Sequence, residues 1–159
     1  MKWAEPENIH LTVKFLGEIT PEQLSEVTGI LTECCKGVKP FAITLKGVGA
    51  FPSASRPQVV WVGAEPTDAE SADALKRLAD GLEEWLETIG IPREARAFKP
   101  HLTLGRIKGP KGSDRLATAI GEMAGRLFGE MLVEDVVLIQ SRLSPGGPTY
   151  TPLQRVVLA

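Results

Sequence analysis

The chain has 159 residues, the length of one ordinary domain, and 43% of them are hydrophobic, which is enough to bury a core. Its net charge of −2 argues against a protein that coats nucleic acid non-specifically. No apolar run approaches the roughly 18 residues that a membrane span requires. The first ten residues contain no apolar signal region. We therefore expect a cytoplasmic protein, a single domain over 1–159, with no membrane partner.

Local patterns predict the elements of the first half of the chain. Alternating polar and apolar residues indicate strands. Thr20 with Gln23 forms a capping box with proline between them, which indicates the start of a helix. Glycines follow the second strand and are expected to break it at Gly47 and Gly49. The predicted elements are a strand over 8–15, a helix over 21–36, a strand over 41–45 and a strand over 58–63.

The second half is interpreted in the same way. Thr67 with Glu70 indicates another capping box, and Gly90 with Pro92 is expected to end the helix that it begins. The predicted elements that follow are a strand over 97–107, a helix from Ser113 whose apolar residues continue to Leu127, a strand over 131–143 and a strand over 149–158. Strands and helices mixed in this order predict an α+β fold, with two sheet-bearing lobes and helices outside.

The two histidines of the chain occur in the same tripeptide. His10 opens HLTV and His101 opens HLTL, and the two are 91 residues apart. Because side chains alternate along a strand, each histidine shares a face with the threonine two residues on, Thr12 or Thr103. The leucine between them points to the core. This pattern predicts two imidazoles and two hydroxyls that face a common cleft.

Two imidazoles suit acid–base chemistry on a phosphate. Histidine is the side chain best able to move protons near neutral pH. One can take the proton of an attacking water while the other protonates the departing sugar oxygen. We assign His101 as the base and His10 as the acid. The hydroxyls of Thr12 and Thr103 can donate to phosphate oxygens where negative charge grows. Neither role requires a metal.

Other uses of the same residues remain open at this point. A single His-x-Thr on a strand is more often structural than catalytic, and the threonine hydroxyls could bond to a neighbouring backbone. A zinc site would use both histidines, but no further ligands stand at zinc spacing. Serine or cysteine nucleophile schemes lack a recognisable motif. Lys14, just past the first motif, is most simply a solvated surface charge.

The two motifs with their flanks carry a family resemblance. HLTVKFLGE at 10–18 and FKPHLTLGRIK at 98–108 resemble the two motifs of the two-histidine phosphoesterase superfamily. The closer resemblance is to its branch of 2′-5′ RNA ligases, or RNA 2′,3′-cyclic phosphodiesterases. GVGAFPSASRPQVVWVG at 47–63 and SRLSPGGPTYTPL at 141–153 are similar to that branch too.

The resemblance implies a bilobal pseudo-twofold fold, with two antiparallel-rich sheets facing a central cleft, one motif in each lobe and the phosphate between them. It implies hydrolysis of a terminal 2′,3′-cyclic phosphate on RNA to a 2′-phosphate, without cofactor or metal, and a reversible joining of RNA ends through 2′-5′ linkages. The catalytic pair would be His10 and His101. The phosphate-binding residues would be Thr12, Thr103 and Arg106, although Arg106 could instead form a surface ion pair.

Members of the branch carry a strand and a helix before the first motif, whereas nine residues precede His10 here. We expect the lobe containing residues 41–63 to lack cover on its apolar side, and a homodimer to form through the uncovered N-terminal lobe. Two alternative functions remain at this stage. One is a phosphodiesterase for 2′-5′ oligonucleotides or a small cyclic nucleotide. The other is a non-catalytic RNA-binding module.

Overall fold

The computed structural model describes residues 1–109 and 113–159 and has the expected α+β class. A 3-10 turn occupies Pro6–Asn8. The helices are α1 (Pro21–Cys35), α2 (Ala69–Thr88) and α3 (Ser113–Glu122). The strands are β1 (Lys2–Trp3), β2 (Phe41–Ser53), β3 (Arg56–Pro66), β4 (His101–Arg106), β5 (Leu127–Val133), β6 (Asp135–Ser144) and β7 (Gly147–Val157).

The described residues form two compact units. The first unit contains residues 1–13, 43–67 and 99–131, and the second contains 14–42, 68–98 and 132–159. Both His-x-Thr motifs belong to the first unit, whereas the resemblance implied one motif in each lobe. The positions of the two motifs relative to each other can therefore be described, because both lie in the same unit.

The first unit is built on a sheet in which β4 lies between β1 and β3. The strand order of the sheet is β1-β4-β3-β2-β5, and the pairs of β1 with β4, β4 with β3, and β3 with β2 are antiparallel. Alternate residues of β3 point to one side and are buried there: Val60, Val62 and Ala64. Their burial contradicts the expectation that residues 41–63 lack apolar cover. Helix α3 packs on β3 and contributes the buried Ile120.

The second unit combines α1, α2 and an antiparallel two-stranded sheet of β6 and β7. Leu78 and Leu86 of α2 are each 1% exposed, and Leu31 of α1 is 4% exposed. The helices contact each other, and α1 also contacts both strands of the small sheet. A two-stranded sheet alone is only marginally stable. Packing against α1 therefore supplies stability that the hydrogen bonds between β6 and β7 do not provide.

Helix starts follow local chemistry. Thr20 accepts a hydrogen bond from the Gln23 amide, and the Gln23 side chain accepts one from the Thr20 amide, so the predicted capping box of α1 is confirmed. The predicted start of α2 is one residue early. Asp68 caps that helix by accepting from the Ser71 amide, while the Thr67 hydroxyl pairs with Thr44 instead.

The predicted strand over 8–15 does not form. Only Leu11 makes a bridge, to Leu102, although exposure still alternates over residues 10–13. A strand is defined by its hydrogen-bonded partners, and alternation alone cannot supply them. The edge of β4 beside this segment is shared with β1, which pairs with Gly105 and Arg106.

Three further boundaries differ from the prediction. Strand β2 continues through the glycines, because Gly47 takes a positive φ of 72° in a bulge instead of ending the strand. Helix α3 ends at Glu122, so Leu127 opens β5. The predicted strand over 131–143 is interrupted at Glu134, so that its first residues end β5 and the others belong to β6. No helix in the described part of the chain is both long and apolar enough to cross a membrane.

Candidate active site

The two motifs meet at an antiparallel bridge. Leu11 pairs with Leu102, the central leucine of each motif, and Leu102 is 7% exposed. Paired residues of antiparallel segments point to the same side, so both leucines turn toward the buried side of the sheet. The residues before and after each leucine therefore turn to the opposite side, which we call the motif face.

The register of the bridge sets the order on the motif face. Continued by one residue in each direction, it places His10 opposite Thr103 and Thr12 opposite His101. Each histidine thus stands across from the threonine of the other motif. The histidines lie on a diagonal of this arrangement, and such diagonal neighbours are about 7–8 Å apart. This register brings both histidines to the same part of the motif face.

Each histidine is held by the same local hydrogen bond. Nδ1 of His10 lies 2.7 Å from the carbonyl oxygen of Asn8, and Nδ1 of His101 lies 2.7 Å from that of Lys99. In both cases the partner is two residues earlier in the chain. A carbonyl oxygen can only accept, so Nδ1 must carry a proton and donate it in each bond.

This hydrogen bond determines which nitrogen can exchange a proton. In a neutral imidazole with the proton on Nδ1, the lone pair is on Nε2. In the imidazolium, Nε2 carries the transferable proton while Nδ1 keeps its carbonyl partner. Both histidines can therefore act as acid or as base through Nε2 without losing the bond that orients the ring.

An aromatic pair borders His101 on the motif face. The ring centroid of Phe51 lies 5.2 Å from that of His101 in an edge-to-face arrangement, and the Trp61 centroid lies 6.1 Å from it. Phe51 and Trp61 are themselves 5.3 Å apart. Strand register explains the contact, because Trp61 pairs with Thr103 on β4 and faces the same side. These rings restrict the orientations that the His101 imidazole can take.

Gly49 makes room for the indole of Trp61, and Gly63 allows a close approach of backbone to backbone. A Cβ on Gly49 would lie 2.3 Å from two atoms of the Trp61 ring, so the indole lies directly over the backbone there. A Cβ on Gly63 would lie 2.6 Å from the carbonyl oxygen of Lys46. Glycine within a strand often marks such a close approach. The indole Nε1 is buried and makes no hydrogen bond with any described residue.

Gly49→Ala is expected to displace Trp61 and, through it, His101. Overpacking of this kind costs about 1–3 kcal/mol of unfolding free energy, and the activity should fall as well. Gly29→Ala in α1 is the matched control, because a Cβ there meets nothing within 4 Å. Thermal unfolding and turnover of both variants check the prediction. Equal unfolding temperatures and equal turnover in the two variants would contradict the role given to Gly49.

A bulge in β4 brings Arg106 to the motif face. Simple alternation from His101 and Thr103 would turn residue 106 to the buried side. The register of β4 with β3 shifts between Val60 and Trp61, so that one extra residue of β4 stands unpaired there and Arg106 pairs with Val59. Val59 shares a side with Trp61, and Arg106 is exposed on that side. Among the described residues Arg106 forms no ion pair, unlike the alternative considered from sequence.

The described side chains were compared with the ligand sets of metal sites. Within residues 1–109 and 113–159, no group of three or more histidine, cysteine, aspartate or glutamate side chains is placed to hold an ion. A tetrahedral zinc site needs at least three protein ligands.

Comparison with protein families agrees with this arrangement. The family model described as LigT-like phosphoesterase matches residues 1–61 and 66–150, which include both motifs. The chain belongs to the LigT-like phosphoesterase family. It is 37% identical over 155 residues to an RNA 2′,3′-cyclic phosphodiesterase of Methanothermobacter thermautotrophicus, an alignment that covers 97% of this chain and 80% of the relative. The phosphodiesterase of the same name from Archaeoglobus fulgidus is 40% identical, with 97% and 82% covered.

Solved structures of this family share the fold. A protein of Thermus thermophilus superposes with a TM-score of 0.78 at 34% identity, covering 99% of this chain and 81% of that one. Escherichia coli LigT in complex with 3′-AMP superposes with a TM-score of 0.70 at 26% identity, covering 96% and 78%. The fold built around the paired motifs is therefore one that known phosphoesterases use.

Proposed function

We propose that this LigT-like phosphoesterase hydrolyses the terminal 2′,3′-cyclic phosphate of RNA to a 2′-phosphate, with His10 and His101 as the acid–base pair. The observation that supports the proposal is the antiparallel bridge between the motifs, whose register predicts both histidines on one face, each with Nδ1 on the carbonyl oxygen two residues earlier. Relatives named as RNA 2′,3′-cyclic phosphodiesterases add support, at 37–40% identity over nearly the whole chain.

The reaction can be written with both histidines acting through Nε2. His101 takes a proton from water as the water oxygen forms a bond to phosphorus. The bond between phosphorus and the 3′ oxygen breaks, and His10 gives its proton to that oxygen. The products are a 3′-hydroxyl and a 2′-phosphate. With a 5′-hydroxyl in place of water, the same groups would join RNA ends through a 2′-5′ linkage, because the 5′ oxygen bonds to phosphorus as the 3′ oxygen leaves.

Three further side chains would hold the phosphate. Thr12 and Thr103 stand opposite the histidines, where a hydroxyl can donate to a non-bridging oxygen as its charge grows. Arg106 adds a positive charge and planar donors that match phosphate geometry. None of these roles calls for a metal or another cofactor. Product analysis of a short RNA with a cyclic end tests the proposal, since a 3′-phosphate product would contradict the assignment of the leaving oxygen.

Replacing either threonine by valine tests its hydrogen bond to the phosphate. Thr12→Val and Thr103→Val keep the side-chain shape and remove the donor, and we expect each to lose about 1–3 kcal/mol of transition-state stabilisation. Turnover and thermal unfolding should be measured together. Unchanged turnover with a lowered unfolding temperature would show that the hydroxyls serve only the neighbouring backbone. Thr44→Val is the matched control, because its hydroxyl pairs with Thr67.

We also propose a cytoplasmic location and self-association as a homodimer. Apolar side chains stand exposed on the two-stranded sheet of the second unit, Leu143 at 86% and Val157 at 68%. The two side chains lie at opposite ends of the β6–β7 pair, and we propose that a second copy of the chain covers them. The sequence had suggested a different surface, near residues 41–63, whose apolar side is buried instead. Sedimentation over a concentration series should give a dimer, and a monomer at every concentration would refute self-association.

A further inference from the structure

We propose that Pro100 is a positioning residue for His101, because its ring fixes the backbone dihedral that directs the Lys99 carbonyl oxygen at the imidazole. The 3-10 turn before His10 has the same role in the first motif, through a hydrogen bond. The inference rests on the proposed function, in which each histidine exchanges its proton at Nε2 while Nδ1 stays on a carbonyl oxygen. Pro100 acts only through the hydrogen bond of His101.

Two backbone dihedrals separate each histidine from the carbonyl oxygen that it contacts. The acceptor belongs to the residue two places earlier, so φ and ψ of the residue between, Ile9 or Pro100, set the direction of the carbonyl. Both hydrogen bonds measure 2.7 Å, and both are exposed to solvent. Water therefore competes for each carbonyl oxygen, and a backbone that is already in place favours the imidazole.

The first motif fixes these dihedrals by hydrogen bonding. Ile9 follows the 3-10 turn Pro6–Asn8 with a φ of −74° and a ψ of 124°. Its amide donates to the carbonyl oxygen of Pro6 at 3.2 Å. A proline ring imposes a φ of about −65 ± 15°, and the φ of Ile9 lies within that range. The backbone before His10 thus has a proline-like shape without a proline.

The second motif has a proline at the corresponding position. The ring of Pro100 locks φ at about −65° and leaves no amide proton, so the hydrogen bond that holds Ile9 is impossible here. The carbonyl oxygen of Pro100 instead accepts from the amide of Ala64 on β3 at 3.1 Å, which fixes the orientation of the next peptide group. Proline also restricts the residue before it, Lys99, to extended backbone. The ring and one sheet hydrogen bond therefore direct the carbonyl of Lys99.

Replacement of Pro100 should therefore affect one histidine and spare the other. Pro100→Ala keeps the carbonyl that accepts from Ala64 but frees φ, so the Lys99 carbonyl can turn toward water. The hydrogen bond of one ring nitrogen sets which nitrogen of a histidine carries the proton. The proton of His101 is then held less firmly on Nδ1. His10 keeps its proton there, because its carbonyl partner depends on the turn before it.

Nitrogen-15 NMR of the imidazoles tests the role of Pro100, because the chain has only two histidines. His10→Ala leaves one imidazole and so assigns the signals. The spectra are recorded at about pH 9, well above the ordinary titration range of histidine. The ratio of the Nδ1–H to the Nε2–H tautomer of His101 should fall about threefold in Pro100→Ala, and further in Pro100→Gly. The ratio for His10 should not change in either variant, which makes it an internal control.

Kinetics of the same variants add a second measurement. For a short RNA with a cyclic end, kcat should fall in step with the fraction of the Nδ1–H tautomer of His101, and KM should stay unchanged, because His101 acts in the chemical step. Pro148→Ala on β7 is the matched control. Pro148 is an exposed proline of the second unit, and its replacement frees the unfolded chain equally. It should change neither the tautomer ratios nor kcat.

The two possible failures can be distinguished. An unchanged tautomer ratio of His101 in both Pro100 variants, or an equal change at His10, overturns the positioning role and leaves the proposed function standing. A lower kcat without a change of tautomer overturns it too. A wild-type protein that does not turn over the RNA refutes the proposed function, and the tautomer ratio then decides the role of Pro100 by itself.

Discussion

His10→Ala and His101→Ala should each lower kcat by about 10²–10⁴, the usual contribution of general acid–base assistance. Both imidazoles keep Nδ1 on a carbonyl oxygen two residues earlier, so Nε2 is the ring nitrogen that can exchange a proton. Alanine removes the proton-exchanging nitrogen, and the motif leucines that pair the two segments remain. The expected loss therefore comes from the chemical step more than from folding.

Each histidine variant needs a check of its folded state. Circular dichroism and thermal unfolding should resemble wild type, because His10 is exposed and His101 is only partly buried. The double variant His10→Ala with His101→Ala should lose less than the sum of the two single losses in free energy, since the two groups act in one step. Turnover near the wild-type level in either single variant would contradict the two-histidine mechanism.

Glu83→Gln should lower the free energy of unfolding by about 3 kcal/mol, because it leaves a buried cation without its counter-charge. Nζ of Lys14 lies 2.9 Å from the Glu83 carboxylate and donates to the carbonyl oxygen of Pro92 at 2.8 Å. The Lys14 side chain is only 4% exposed. Lys14→Met should cost less, since the 22% exposed carboxylate can still reach water.

A surface ion pair of the same chain provides the control. Glu33 and Lys36 on α1 form a pair whose side chains are 62% and 72% exposed, so Glu33→Gln should change the unfolding free energy by less than about 1 kcal/mol. Chemical denaturation of the three variants gives the comparison. If Glu83→Gln and Glu33→Gln lower the free energy of unfolding by the same small amount, the buried ion pair does not stabilise the fold as its geometry predicts.

The sequence predicts those features of the fold that are set by residues close together in the chain. The capping box at Thr20 fixes the start of α1, because donor and acceptor stand three residues apart in any helix. The doubled His-x-Thr motif predicts which side chains share a face, since alternation needs only an extended backbone. That alternation persists around Leu11 even though no regular strand forms there.

Features that depend on pairing between distant segments could not be predicted in the same way. The contact of Phe51 with His101 follows from the register across three strands. Alternation alone turns Arg106 away from the site, and only the bulge in β4 reverses this. The sequence predicts a solvated charge at Lys14, because no residue near it in the chain indicates an ion pair. Its partner Glu83 is 69 residues away. Gly49 was predicted to break the strand, but it lies within β2, where the indole of Trp61 from the neighbouring strand covers its backbone.

The most direct test of the two-histidine account is turnover of a short RNA ending in a 2′,3′-cyclic phosphate, with and without an excess of chelator. Catalysis by the two histidines predicts equal rates in both conditions for the wild-type protein, a 2′-phosphate as the product, and loss of that product when His10 and His101 are both replaced by alanine. Abolition of wild-type turnover by the chelator, with recovery on adding zinc or manganese, would contradict it.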